Sequence, residues 1–298
     1  MTQTPDILCI GSVLWDIIGR TPAALRPGSD VPGRITRLPG GVALNIAMTL
    51  RRFGLTPALL SAVGSDGEGC DLVAACARMG LITDHLCRPE DLPTDRYMAI
   101  EGAGGLMAAV ADARSLEAAG DRILAPLFDG PLADADAPWS GMIALDGNLT
   151  AALLGFIAGS ALFARADLRV APASPGKAAR LMPLLAHPRA TLYLNRAEAG
   201  VLCAARFRTA PEAAAALLTR GAVRVLVTDG SRACADGLRG CGVITATPPA
   251  VPVARITGAG DTFMAAHLVA ERRGASRTDA LTAALRAAAD HVSGEIAS

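Results

Sequence analysis

Hydrophobic positions along this chain fall into short blocks that switch between two periods. Ile7 to Ile10 is an unbroken apolar run closed by Gly11, the pattern of a strand buried on both faces. Val42, Ile46, Leu50 and Phe53 then recur at helical spacing behind Gly40-Gly41, and Gly54 supplies a stop. Leu59 to Val63 reads as the next strand. Gly64-Ser65-Asp66-Gly67 turns into a helix that runs to about Met79 and stops at Gly80. Strand and helix thus alternate over the first eighty residues, which predicts a doubly wound, largely parallel α/β sheet.

The pattern changes twice before it resumes. Residues 20–38 hold several prolines and charges and read as a loop with short extended pieces. Tyr97 to Glu101 and Leu106 to Val110 flank Gly102-Ala103-Gly104-Gly105, a hairpin signature. Segments 20–38 and 94–112 are therefore expected to project from the main sheet as a small β lid. Strands are then predicted at Gly141–Leu145, Leu168–Val170, Thr191–Leu194 and Val223–Val227, with further pieces at 233–236 and 242–247. Helices are predicted over Ala151–Phe163, Pro175–Leu185, Pro211–Arg220, Thr262–Glu271 and Thr278–Val292. No repeat or linker divides the chain, so residues 1–298 read as a single α/β domain with its lid.

Composition narrows the field of functions. Twenty-eight basic residues balance 28 acidic ones without a block of either sign, so nucleic acid and membrane surfaces find no electrostatic partner here. No apolar run reaches the roughly 18 residues of a membrane span, and Met1 to Asp6 lacks the regions of a signal peptide. Seven cysteines, an odd number without C-x-x-C, point to free thiols in a reducing cytoplasm. The four histidines show no metal-ligand spacing.

The densest candidate chemistry is Thr257-Gly258-Ala259-Gly260-Asp261. Small residues ahead of a helix allow backbone N–H groups to turn toward an anion, and the helix start adds positive partial charge. Asp261 at the rim would repel a phosphate, unless it takes a proton from a hydroxyl that attacks one. A tight glycine turn with Asp261 favouring the helix start fits these five residues equally well. Asp16 is open in the same way, as a turn cap or an acceptor for substrate hydroxyls at a strand end. Asn45 is either an exposed amide or a two-sided partner for a polyol. Lys177 opposes the dipole of its helix or meets an anion, and Glu198 suits a helix start on electrostatic grounds alone.

Taken in order, these motifs resemble the PfkB/ribokinase family of sugar and nucleoside kinases. The resemblance rests on Gly40-Gly41 with Asn45, Asn195-Arg196-Ala197-Glu198, Thr228-Asp229-Gly230 and Gly258-Ala259-Gly260-Asp261, and it covers nearly the whole chain. Within the family the chain is most similar to pseudouridine kinases, through Pro32-Gly33-Arg34-Ile35, Leu60-Ser61-Ala62-Val63-Gly64-Ser65-Asp66 and Asp146-Gly147-Asn148. The resemblance implies a ribokinase-like three-layer sandwich and ATP-dependent phosphorylation of a ribose 5′-hydroxyl, with pseudouridine as first choice. Another nucleoside or sugar is the runner-up, and a non-catalytic nucleoside- or sugar-binding regulator the third reading.

By the same resemblance Asp261 is the catalytic base, and the N–H groups of Gly258, Ala259 and Gly260 form the anion hole. Asp16, Gly40, Gly41, Asn45, Asp112 and Asn148 bind the acceptor. Lys177, Asn195, Thr228 and Gly230, with Gly258 and Gly260, bind the nucleotide, and Glu198 holds Mg²⁺ through water. A homodimer through the lid is also a family expectation. Three departures stand out: Arg255 where relatives carry Asp or Asn, which leaves a monovalent-cation site undecided; Ala171-Pro172-Ala173-Ser174 where relatives read Asp-Pro-x-Ser; and the glycines at 102–105 in the lid.

Overall fold

The first apolar run forms strand β1 (Ile7–Ile10), and all four of its side chains are fully buried in the computed structural model. The structure describes residues 4–24, 28, 30–103, 105–128 and 130–294. After β1 come β2 (Leu14–Arg20), β3 (Arg34–Gly40), α1 (Val42–Arg52), β4 (Pro57–Leu60) and α2 (Gly67–Arg78). The middle of the chain holds β5 (Arg96–Gly102), β6 (Gly105–Asp112), α3 (Arg114–Ala119), α4 (Ala125–Phe128), β7 (Met142–Asp146), α5 (Ala151–Gly159) and β8 (Asp167–Ala171). There follow β9 (Ala190–Asn195), α6 (Arg196–Cys203), α7 (Ala210–Thr219), β10 (Arg224–Thr228), β11 (Cys234–Leu238), β12 (Gly242–Ala246), α8 (Ala259–Arg272) and α9 (Arg277–Ser293).

The main sheet has the order β12-β11-β10-β9-β8-β7-β1-β4. Its pairings are parallel from β4 to β10, and β11 and β12 close the edge as an antiparallel hairpin. Strand side chains alternate faces, so the sheet feeds two cores. Leu8 and Ile10 pack in one with Leu154, Leu202 and Leu217 of α5, α6 and α7. Ile7 and Cys9 pack in the other with Leu44, Leu72, Phe263 and Leu281 of α1, α2, α8 and α9. The result is the helix–sheet–helix sandwich expected from the alternating pattern.

A second sheet, of order β3-β2-β5-β6, forms the lid. Two of its strands differ from the sequence expectation. Leu14 to Arg20 is a continuous strand, where Asp16 read as a turn cap or a residue at a strand end, and Arg34 to Gly40 is a full strand, where a loop with short extended pieces was expected. The two pair with each other, and β2 also pairs in parallel with β5, some eighty residues on; such partners leave no local periodicity to read. Gly104, and residues 25–27 and 29 of the first lid segment, lie outside the described residues. Helices α3 and α4, neither predicted, follow the lid. The helix expected at Pro175–Leu185 is instead a 3₁₀ stretch over Pro175–Leu184 that contains Pro183, whose ring and missing N–H disfavour an α-helical ladder. Other boundaries differ by a few residues. Among the described residues no helix is long and apolar enough to cross a membrane, and all seven cysteines are unpaired.

Helix α8 is fastened to the sheet by charge. Glu271 in its last turn accepts from Arg169 of β8 and from Arg224 of β10. Arg224 also meets Asp236 at 2.9 Å, as does Arg277 at 3.0 Å. Arg169 donates to the Tyr193 hydroxyl, which lies 2.9 Å from Nδ1 of the fully buried His267. Burial holds His267 down to about 4, so the ring stays neutral. Burial works to raise the Glu271 pKa but is outweighed by its positive partners, and the value is low overall.

Glu271→Ala is expected to cost roughly 2–3 kcal/mol, less than a fully orphaned pair because Asp167 and Asp236 still serve the two arginines. Urea midpoints at neutral pH check this. The folded carboxyl has the lower pKa, so its contribution is present above the ordinary carboxylate range and is lost as the pH falls through the folded value.

Candidate active site

The candidate residues gather at the C-terminal ends of the parallel strands, where open α/β sheets place ligands. The organising atom group is the carboxylate of Asp146, the last residue of β7, which is fully buried. It accepts from Ser12 N at 2.8 Å, Ser12 Oγ at 2.9 Å, Ala43 N at 3.0 Å and Asn148 N at 2.7 Å. Those donors come from the turn after β1, the first turn of α1 and the turn after β7. Burial pushes the Asp146 pKa up, and the donors oppose that shift. Ser12 Oγ also receives the Val42 N–H at 2.8 Å and the Asn148 side-chain amide at 2.8 Å. Asn148 in turn accepts from Lys177 Nζ at 2.5 Å. One polar chain therefore runs from the start of α1 to Lys177.

Gly40 and Gly41 are glycines for steric reasons. A Cβ on Gly40 would sit 2.1 Å from Asp16 Oδ2, and one on Gly41 would sit 2.5 Å from the Ser12 carbonyl, at a φ of +99°. Asp16 thus lies against the head of α1, and its desolvated carboxyl is raised to about 6. One turn into α1, Asn45 Nδ2 donates to Asp261 Oδ2 at 2.9 Å.

Asp261 occupies the first turn of α8, which begins at Ala259 with Gly258 as its left-handed cap, φ 83°. Its residue surface is partly open, while the carboxyl is hemmed in by protein. Loss of solvation raises its pKa to about 7; Asp146, Asp16 and Glu198 add to the rise, and the Asn45 hydrogen bond opposes it. The structure therefore brings Asp16, Asn45, Glu198 and Asp261 to one cleft. The Ala259 N–H, expected in the anion hole, closes a turn onto the Ile256 carbonyl at 3.2 Å. Gly260 and Asp261 follow it as the N–H groups at the head of the helix, where no preceding helical turn supplies acceptors.

The second half of the cleft is built on β9 and β10. Asn195 and Glu198 form a reciprocal capping box: the Asn195 side chain takes the Glu198 N–H at 2.9 Å, and Glu198 Oε2 takes the Asn195 N–H at 2.7 Å. Burial raises Glu198 to about 7. Its second oxygen takes no part in that box. Among the described residues no three His, Cys, Asp or Glu side chains cluster as a direct metal cage. A hydrated Mg²⁺ needs few protein ligands, and the remaining Glu198 oxygen suits it. Thr228 lies in register with Asn195 on the neighbouring strand. Asp229 between Thr228 and Gly230 accepts from Arg196 at 2.8 Å and from Arg232 at 2.9 Å, which straps the two motifs together.

Asp112 is not brought to this cleft. The lid register pairs Trp15 with Arg96 and Arg96 with Asp112, so Asp112 lies on the lid face opposite to Asp16. Its carboxylate pairs with Arg114 at 2.9 Å, which lowers its pKa. Ala171, the second departure, is buried and in register with Asp146; an acid there would stand beside a carboxylate already out of water. Two residues later Ala173 holds a left-handed φ of 69°, on the loop that delivers Lys177. Ser12, Asp146, Asp229 and His291 were not singled out from the sequence as site residues. Asp146-Gly147-Asn148 at a strand end was the available signal for Asp146.

Comparison with known proteins agrees with this architecture. The pfkB family of carbohydrate kinases matches residues 4–295, and the chain belongs to that family. Pseudouridine kinase of Escherichia coli (strain K12) is 32% identical over 113 residues, 38% of this chain and 36% of that protein. Pseudouridine kinase of Arabidopsis thaliana is 29% identical over 100 residues, 34% of this chain and 26% of that protein. Each match thus spans well under half of the relative. Among solved structures, ribokinase of Arabidopsis thaliana complexed with ribose and ATP superposes with a TM-score of 0.79 at 20% identity, covering 99% of this chain and 94% of that one. A carbohydrate kinase from Agrobacterium tumefaciens gives 0.76 at 26% identity, covering 95% and 89%.

Asp146→Ala would leave three backbone donors without their acceptor, at roughly 1–3 kcal/mol each when buried. A stability loss of at least ~3 kcal/mol in chemical denaturation is expected. A loss below ~1 kcal/mol would contradict the role given to this carboxylate.

Proposed function

We propose that this chain is an ATP-dependent kinase that phosphorylates the ribose 5′-hydroxyl of a nucleoside, with pseudouridine as its acceptor. The observation that carries the reading is Asp261: a carboxylate raised to about 7, bonded to Asn45, at the head of helix α8. A group ionising near neutrality suits a general base, and helix-head N–H groups suit a phosphoryl oxygen. The partial matches to two pseudouridine kinases support the choice of acceptor.

In this reading Asp16, Gly41 and Asn45 hold the ribose hydroxyls, and Asn148 borders the same pocket. Asp261 takes the proton as the 5′-oxygen attacks, and the N–H groups of Gly258, Gly260 and Asp261 receive charge that grows on the transferring phosphoryl group. Lys177, Asn195, Thr228 and Gly230 bind the nucleotide, and Glu198 holds a water of the Mg²⁺ shell. Bound MgATP supplies the phosphoryl group and the cation that screens its oxygens. The lid covers the acceptor and keeps water from the donor. Its outward face carries exposed Ile35, Met98, Ile100 and Val110, which supports a homodimer through the lid, measurable by light scattering. The unpaired cysteines suit a cytoplasmic location.

ADP release with MgATP and a panel of pseudouridine, uridine, inosine, adenosine, ribose and fructose 6-phosphate tests the reading. Pseudouridine is expected to give the highest kcat/KM. Equal turnover of uridine would remove the C-nucleoside assignment, a preference for ribose would favour a free-sugar kinase, and binding without turnover would favour a regulator. Asp261→Asn is expected to lower kcat by about 10²–10⁴-fold while ATP still binds. Only the ionised carboxylate accepts a proton, so wild-type kcat/KM should fall as the pH drops below about 7 and level off above it.

A further inference from the structure

The loop that leads into α8 is stitched to the end of α9, and the stitching involves two side chains with no role so far. The Ala254 and Arg255 N–H groups both donate to the Val292 carbonyl, at 2.9 and 3.1 Å. Arg255 Nε donates to the His291 carbonyl at 3.0 Å. Both carbonyls lie in the last turn of α9, which carries negative partial charge, and the His291 carbonyl also accepts the N–H of the capping Gly294 at 3.2 Å. A guanidinium suits them.

The His291 side chain reaches back to the loop. Its Nε2 lies 2.8 Å from the Thr257 carbonyl, which can only accept, so Nε2 carries the proton. Its Nδ1 then accepts from Thr262 Oγ1 at 3.2 Å and faces Arg255 Nη2 at 3.4 Å. One buried ring thus ties the residue before the glycines to the first turn of α8. It also floors the loop: Gly258 has φ 83°, and a Cβ there would meet Cε1 and Nε2 of His291 at 3.2 Å.

The monovalent cation implied by the family resemblance needs oxygen ligands beside this loop. Here the nearby oxygens of Thr257, His291 and Val292 already accept from His291, Arg255 and Ala254, and the side chain at 255 is a guanidinium. These residues do not fit a bound alkali ion.

We propose that His291 and Arg255 are positioning residues of the phosphoryl-binding loop, and that they do the work of an alkali cation, so that turnover requires neither K⁺ nor Na⁺. The inference rests on the kinase reading for its catalytic half only. The fixed charge of Arg255 and the ring of His291 hold Thr257 and Gly258, and through them the N–H groups of Gly260 and Asp261, in the shape the transferring group needs.

Rates of ADP release in KCl and in tetramethylammonium chloride at equal ionic strength are expected to agree within about twofold. Activation by K⁺ of about fivefold or more would overturn the proposal. Hydrogen exchange of the 254–262 segment in the ligand-free protein gives a second readout that needs no activity. His291→Ala should raise exchange there by about tenfold or more, with the rest of α8 unchanged. It should also lower kcat by about 10²-fold with acceptor KM within about threefold. His291→Gln, whose amide can donate to the Thr257 carbonyl, should recover most of both. Unchanged exchange and kcat in His291→Ala would overturn the positioning role, as would a Gln variant no better than Ala. If no acceptor on the panel turns over, the kinase reading fails, and the exchange result still decides the loop assignment.

Discussion

Four carboxylates, Asp16, Asp146, Glu198 and Asp261, crowd the C-terminal edge of one sheet, and their repulsion in a poorly solvated cleft is the constraint on which the site depends. A fold tolerates such crowding only where each charge is satisfied differently. Asp146 is held by donors from Ser12, Ala43 and Asn148 and serves as scaffold. Glu198 closes a capping box on Asn195. Asp16 rests against a glycine. Asp261 has one amide partner, Asn45, and the first turn of a helix around it. Glu198 and Asp261 are both raised to about 7, but one Glu198 oxygen is committed to its capping box, whereas Asp261 carries a single amide partner at the head of a helix.

The same network joins the two halves of the cleft. Ser12 and Asn148 carry the hydrogen bonds from α1 across to Lys177, so the start of α1 and the loop of Lys177 share one frame. The Arg196–Asp229 pair does this for the Asn195 and Thr228 motifs. At the far end of α8, Glu271 bridges two arginines and anchors the helix that carries Asp261. Placement of Asp261 thus depends on ionic contacts several turns away from it as well as on its own neighbours.

Alternating apolar blocks made the sandwich legible, since β1, α1, the strands at the centre of the main sheet and α9 each carry their own period. Glycines and acids at strand ends made Gly41, Asn45, Asn195, Glu198 and Asp261 visible. Strand β2 was hidden because Asp16 and Gly19 interrupt it and its partners are remote in sequence. Asp112 was expected in the pocket from the family resemblance; its face is decided by one-residue register, which is set by pairing and not by local sequence. The roles of Asp146 and His291 rest on contacts 134 and 34 residues away along the chain, which no local pattern encodes.

The account rests most heavily on Asp261 being a carboxylate that ionises near neutrality. Carbon-13 carboxyl resonances of the aspartate-labelled protein, with the Asp261 signal assigned by its loss in Asp261→Asn, can be followed through a pH titration. A midpoint at about 7 is the expected result. A midpoint near the ordinary aspartate value of about 3.9 would contradict the assignment of Asp261 as the proton acceptor.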